Sequence, residues 1–191
     1  MNNEPVIVTE YRHRASEWLD AHVPAVIGDA NALLVSQGRV RADNHYSGCG
    51  DLPPAMYEAL GFQHPNINRD NPATSANEWR VGFNVSLLAG WAGAARRAPF
   101  ESEWPLLDAG DVLIQWPARD PNNAHVIVVV APVCSGHIIS IAEHGQRIPE
   151  AGGRVRVGRV RVLDLRSPGR PLQRWLPLPA VMRTCGLLGG A

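Results

Sequence analysis

The chain has 191 residues, 45% of them hydrophobic, and its 18 basic and 18 acidic side chains give a formal net charge of zero. This length is enough to bury one sizeable core, and we predict a single domain over residues 1–191. No apolar run approaches the ~20 residues that cross a bilayer, and the first residues form neither a basic nor an apolar leader. These features exclude membrane insertion and predict synthesis in the cytoplasm without a signal peptide.

Apolar residues at helical intervals dominate the first part of the chain. They predict one or two helices over about residues 8–37, through Tyr11, Ala15, Trp18, Leu19, Val23, Val26 and Ile27. Pro53 and Pro54 argue against a helix that begins at Cys49, so we predict a short helix that begins near Asp51 or Leu52. Gly61 is its expected C-terminal stop. A further helix is predicted over residues 78–95.

From residue 108 onwards the pattern changes to period two and to continuous apolar runs, which are typical of strands. Four strands of a mainly antiparallel sheet are predicted, over residues 112–116, 125–130, 138–142 and 155–165. Trp175, Leu176 and Leu178, which stand between prolines, are expected to return and cover the sheet. Helices followed by a sheet predict an α+β fold in which N-terminal helices pack on that sheet.

The C-terminal flank, residues 147–191, is basic. It holds 9 of the 18 arginines against 2 acidic residues, whereas residues 1–146 hold 9 arginines against 16. Such a flank either holds an anionic polymer or is a solvated surface that balances an acidic body, and the second is the more common case. Alternating arginine and valine over residues 154–162 fits a half-buried strand, whose arginine face would suit an acidic partner. Because that stretch lacks interleaved aromatic residues, no nucleic-acid partner is expected.

Two sequence blocks have the order found in thiol hydrolases. Cys49 precedes a short helix that ends in Leu60-Gly61-Phe62. Gly110-Asp111 then opens one strand, and His125 opens the next with a β-branched run behind it. A thiol needs an imidazole and a helix N-terminus to become a reactive thiolate near neutral pH.

Over about residues 30–146 these blocks resemble the papain-like NlpC and CHAP-type cysteine amidases and peptidases, which cut peptidoglycan peptides. The resemblance implies a papain-like fold and a catalytic set of Cys49 as nucleophile, His125 as base and Glu143 as the group that orients His125. His137 is the alternative orienting residue, and parity along a regular strand does not separate the two. Glu143 is favoured because a carboxylate stabilises an imidazolium better than a second imidazole does. Tyr46 and His144 are candidates for supporting roles.

Each of these residues also has a plainer interpretation. A lone cysteine is more often a small buried hydrophobe, and His125 and Glu143 are common types of polar residue at strand ends. Asp111 is most simply a turn residue that starts a strand. His45, Cys49, His125 and His144 lack the short local spacing of a zinc site, and the three cysteines show no paired spacing. No metal and no other cofactor is therefore expected.

Three functions from different classes follow from the sequence. The first is a cysteine amidase or endopeptidase acting on peptidoglycan peptides, as a phage lysin or tail component or as a secreted antibacterial effector with an immunity protein. A chain made without a signal peptide would reach that substrate by phage delivery or by a non-Sec export route. The second is an acyl-transferase or deamidase on a protein substrate. The third is a non-catalytic binding or virion structural domain of the same fold.

Overall fold

The computed structural model describes residues 4–23, 52–62, 96–115, 125–150 and 153–189. Three α-helices lie within these ranges: α1 over Val6–His22, α2 over Leu52–Ala59 and α3 over Leu178–Thr184. Helix α2 begins at Leu52, one of the two predicted starts, and Gly61 follows its end with a φ of +84°, as a C-terminal stop requires. The helix predicted over residues 78–95 lies outside the described residues.

An antiparallel sheet is the largest secondary structure in the described chain. Its six strands are β1 over Arg96–Arg97, β2 over Val112–Gln115, β3 over His125–Cys134, β4 over Ile138–Glu150, β5 over Gly153–Asp164 and β6 over Leu172–Leu176. They lie in the order β1-β6-β2-β3-β4-β5, and a 3₁₀ helix over Glu101–Leu106 connects β1 towards β2. Helices with an antiparallel sheet confirm the α+β class at that level.

The C-terminal segment differs in part from its prediction. Trp175 and Leu176 belong to β6, which lies between β1 and β2 inside the sheet, and Leu178 begins α3. Trp175 and Leu176 therefore form part of the sheet, whereas Leu178 packs in the layer of Val126 and Val128 and covers one face of the sheet, as predicted. Pro177 and Pro179 flank the helix start, where a missing N–H group costs nothing.

Two apolar layers cover the two faces of the sheet. The first layer contains Val126 and Val128 of β3 together with residues of all three helices. The second layer contains Ile127 and Val129 of β3, residues of β4, and Trp104 of the 3₁₀ helix. Alternate side chains of a strand point to opposite faces, so even-numbered residues of this part of β3 face the helices and odd-numbered residues face away from them.

A buried ion pair fixes the turn before β2. Asp111 is fully buried and accepts hydrogen bonds through Oδ1 from Arg12 Nη1 and the Leu178 backbone N–H, both at 2.9 Å. Its Oδ2 accepts one from Trp175 Nε1 at 3.0 Å. Burial by itself would lower the pKa of Arg12, but Glu4 and Asp111 outweigh it and raise that pKa above its ordinary value. The turn residue of the sequence prediction therefore also ties α1, β6 and α3 to the start of β2.

Candidate functional site

The site is centred on His125, the first residue of β3. It pairs with Gln115, the last residue of β2, so both stand at the same end of the sheet. His125 is buried, with 8% of its surface exposed. As an odd-numbered residue of β3 it faces away from the helices, on the side of Ile127 and Val129.

Glu143 of β4 binds the imidazole of His125. It pairs with Ile127, which makes it a diagonal neighbour of His125 on the same face, and its own side chain is 1% exposed. His125 Nε2 and Glu143 Oε2 are 2.8 Å apart. An ionised carboxylate can only accept, so Nε2 carries the proton and Nδ1 becomes the basic nitrogen of the neutral ring. The arrangement can therefore present Nδ1 as a general base.

Arg161 of β5 holds the same carboxylate from the other side. Its Nε donates to Glu143 Oε1 at 2.8 Å, and its Nη2 donates to Oε2 at 3.2 Å. A bidentate contact of this kind fixes both the position and the plane of a carboxylate. The three side chains form a row of imidazole, carboxylate and guanidinium along strands β3, β4 and β5.

The sequence did not predict the part that Arg161 has in this row. Its alternation with valine indicated an outward arginine face for an acidic partner, whereas its acidic partner is Glu143 of the same chain. Arg161 pairs directly with Ile141 and reaches Glu143 diagonally, and the β4–β5 register shifts just after Glu143. That register is a product of the folded sheet, so only an acidic residue on the preceding strand could have hinted at the contact.

Gln115 is the other buried polar residue beside His125. It is 1% exposed, and its side-chain Nε2 donates to the backbone carbonyls of Pro168 and Arg170 at 3.1 and 3.0 Å. These bonds fix the loop between β5 and β6 against the end of β2. No sequence signal predicts this contact, because it depends on β6 lying next to β2.

His137 lies far from His125. It is in the turn between β3 and β4, where its ring contacts the guanidinium of Arg166, and that turn is at the opposite end of β3 from His125. From the sequence, His137 is an alternative orienting residue, because on a regular strand it would lie on the same face as Glu143. The turn ends that regularity, and the structure places Glu143, not His137, against His125.

The remaining sequence candidates lie outside what the structure describes. Cys49 and Tyr46 are outside the described residues, and so is the side chain of His144, whose backbone belongs to β4. Three residues after Cys49, α2 begins on the helical face of the sheet, with Leu52 in the layer of Val126 and Val128. His125 points to the other face. Three extended residues span about 10 Å, so Cys49 lies within about that distance of Leu52.

Within the ranges that the structure covers, no group of three or more histidine, cysteine or acidic side chains is arranged to hold a metal ion. None of the described helices is both long and apolar enough to span a membrane.

Comparison with known proteins yields no relative: no family model matches the chain, and no curated protein or solved structure is significantly similar to it.

Proposed function

We propose that the chain is a thiol hydrolase, an amidase or endopeptidase of peptidoglycan peptides, in which Cys49 is the nucleophile and His125 the base. The contact between His125 Nε2 and Glu143 Oε2 carries this proposal. A buried imidazole with a carboxylate on one nitrogen is the arrangement that leaves the other nitrogen free of competing tautomers for proton transfer. Cys49 is the candidate nucleophile because Cys49, His125 and Glu143 follow one another in the order that the family resemblance implies.

In the proposed reaction, Nδ1 of His125 takes the thiol proton while the sulfur of Cys49 attacks a peptide carbonyl. The imidazolium then protonates the leaving amine, and a thioester remains on the sulfur. Water, deprotonated by Nδ1, releases the acid product and restores the thiol. Glu143 accepts the hydrogen bond from Nε2 in both the neutral and the protonated ring and keeps the orientation of the ring fixed.

A non-catalytic binding domain is the second candidate. Two observations favour it: His125 faces away from the layer in which α2 packs, and Arg161 neutralises Glu143 through two hydrogen bonds, as in a purely structural ion pair. The two candidates differ in whether the chain before Leu52 brings Cys49 to His125.

Peptidoglycan digestion tests the proposal. Wild-type protein and the variants Cys49→Ala and Glu143→Gln are incubated with purified peptidoglycan, and released fragments are identified by mass spectrometry. We expect new peptide ends with the wild type, none with Cys49→Ala, and a rate about 10² to 10⁴ lower with Glu143→Gln, because the amide no longer selects the tautomer. Full activity of Cys49→Ala would contradict the proposal.

Thiol reactivity provides a readout that does not need the substrate. In a Cys134→Ser and Cys185→Ser background, Cys49 is alkylated with iodoacetamide over a range of pH. A thiol paired with His125 reacts quickly near neutral pH, and adding His125→Asn shifts the reaction to the alkaline range of an ordinary thiol. An alkaline profile in both proteins supports the binding domain. A His125-dependent reactive thiol without peptidoglycan fragments indicates a protein substrate.

A further inference from the structure

A pocket of about 270 Å³ lies away from His125, where the start of α1, the 3₁₀ helix, β1 and the junction between β6 and α3 meet. Its walls are Glu4, Pro5, Arg12, Arg96, Leu106, Trp175, Pro177, Pro179 and Arg183. Trp175 pairs with Leu113 near the beginning of β2, whereas Gln115 and His125 stand at its other end. The pocket is therefore a second location, independent of the proposed hydrolase site.

Two arginines of the pocket wall have no ion-pair partner among the described residues, although Arg96 lies close enough to Glu103 to act on its charge. Arg96 and Arg183 are exposed and come from elements far apart in the sequence, β1 and α3. Among the residues that the structure describes, neither forms an ion pair or donates a side-chain hydrogen bond. Glu4 is the one carboxylate in the walls, and Arg12 already holds it through Nε and Nη2, both at 2.8 Å. The pocket thus offers two guanidinium groups to an anion.

The rest of the wall is apolar. Trp175 is 3% exposed and has the guanidinium of Arg96 above its ring, 5.6 Å from the centroid. Leu106 is 40% exposed, and three prolines complete the surface. Rigid proline and tryptophan surfaces lose little side-chain freedom when a ligand packs on them.

We propose that this pocket binds a carboxylate carried on a small apolar group. A guanidinium matches the two oxygens of a carboxylate, so Arg96 and Arg183 would hold the charged end. Leu106 and the prolines would cover the apolar end. Solvated surface arginines need no such ligand, but their convergence on one pocket with an apolar wall is what a carboxylate ligand requires.

Titration by ¹H–¹⁵N NMR tests the site with isocaproate as the probe and its neutral amide as the matched compound. Isocaproate at millimolar concentration is expected to shift the signals of Arg96 and of the Trp175 indole. The double variant Arg96→Gln with Arg183→Gln should bind it about tenfold or more weakly, since each lost charge-assisted hydrogen bond is worth about that factor. Both side chains are exposed, so the variant should fold as the wild type does.

Arg174→Gln is the matched control, because Arg174 is an exposed arginine next to Trp175 that does not line the pocket. It should leave binding unchanged. Equal binding of the neutral amide, equal loss in Arg174→Gln, or no shift with isocaproate would each overturn the proposal. Glycyl-glycyl-leucine with a free or an amidated end distinguishes the sources: tighter binding of the free peptide than of isocaproate indicates a peptide carboxyl terminus, and weaker binding indicates a free carboxylic acid.

Discussion

At the scale of single residues, the proton on Nε2 of His125 depends on side chains from two other strands, β4 and β5. Glu143 accepts from His125 Nε2, and Arg161 fixes Glu143 in turn. The first contact was an expectation from the family resemblance of the sequence, which implies a carboxylate near the end of the strand after His125. The sequence could not predict the second, since the diagonal between Glu143 and Arg161 follows from a strand register that only the folded sheet defines.

Replacing Arg161 should therefore lower kcat without unfolding the protein. Arg161 is 31% exposed, so Arg161→Gln should change the free energy of unfolding by about 1 kcal/mol or less, as for other partly exposed ion pairs. The freed carboxylate would tilt, and a misplaced base costs about tenfold to hundredfold in kcat. Arg161→Lys should recover part of the lost kcat, since lysine restores the positive charge but not the bidentate geometry. The measurement is kcat and KM on released peptidoglycan peptides, with thermal unfolding alongside.

Arg166→Gln is the control for that variant, because Arg166 is an exposed arginine that contacts His137 at the far end of the sheet. It should leave kcat unchanged. If Arg161→Gln and Arg166→Gln behave alike, Glu143 does not depend on Arg161 for its orientation.

A second residue-scale prediction concerns alkaline pH. Tyr57 of α2 donates through its hydroxyl to the carbonyl of Gly110 at 3.0 Å, and burial raises its pKa well above the ordinary value. In the unfolded chain Tyr57 ionises near pH ~10, whereas in the folded protein it stays protonated, so stability falls as pH rises through that value. Tyr57→Phe should flatten this fall, by at most about 1.4 kcal/mol per pH unit.

Urea unfolding at about pH 8 and at pH values above about 10 measures the effect. At the lower pH, Tyr57→Phe should cost about 1–2 kcal/mol through the lost hydrogen bond to Gly110. Tyr11→Phe, a partly buried tyrosine of α1 that packs beside Phe62, is the control. An unchanged slope in Tyr57→Phe would show that another group controls alkaline unfolding.

At the scale of elements, those with a local sequence signal could be predicted, whereas an element whose place depends on strand pairing could not. Helix α2 and strands β2 to β5 carry signals within themselves, such as a proline near a helix start or a run of β-branched residues, and the sequence placed them to within a few residues except at the far ends of β3 and β4. Strand β6 is five residues between prolines, and its place between β1 and β2 depends on partners far away in the chain. The proline pattern before α3 was a usable signal that the prediction passed over.

The turn that joins the 3₁₀ helix to β2 is tightly packed at Gly110. Its φ is +86°, and a Cβ there would stand 3.0 Å from Leu178 and 3.1 Å from Ala15. Gly110→Ala should therefore combine backbone strain with overpacking between α1 and α3, and should destabilise the protein by about 2–4 kcal/mol. Chemical denaturation with a fit of the unfolding free energy measures this loss.

Gly136→Ala separates the two causes. Gly136 has a φ of +76°, but no heavy atom lies within 4 Å of the position of a Cβ there. It should cost about 1–2 kcal/mol from backbone strain alone. Equal losses at the two glycines would mean that the contact with Leu178 and Ala15 relaxes without cost.

At the scale of the whole molecule, Asp111 connects parts of the chain that are far apart in sequence. Arg12, its partner from α1, is 99 residues away, and Leu178 and Trp175 bring in α3 and β6. From the sequence Asp111 was a turn residue only, because a turn is local while its three partners become neighbours only in the folded state. Burial raises the pKa of Asp111, and Arg12 and the two N–H donors oppose that rise.

Asp111→Asn should be among the most destabilising changes of a single atom in the chain. It leaves the buried guanidinium of Arg12 short of one counter-ion. It also places an amide donor against the indole N–H of Trp175 or, with the amide turned round, against the N–H groups of Leu178 and Arg12. Breaking a buried pair from one side costs about 3–5 kcal/mol. Asp108→Asn, whose carboxylate is 3.8 Å from Arg12 and 34% exposed, should cost less than about 1 kcal/mol in the same denaturation experiment.

The position of β6 in the sheet also determines when the sheet can be completed during synthesis. During synthesis the strands β2 to β5 emerge before β6, and β2 then has a bare edge that residues 172–176 cover in the folded protein. Until those residues leave the ribosome, that edge is open to pairing with other chains, and neither β1 nor α3 can be in place. Folding should therefore be slow and largely post-translational. Overexpression at low temperature slows aggregation of the incomplete sheet and should increase the yield of folded protein.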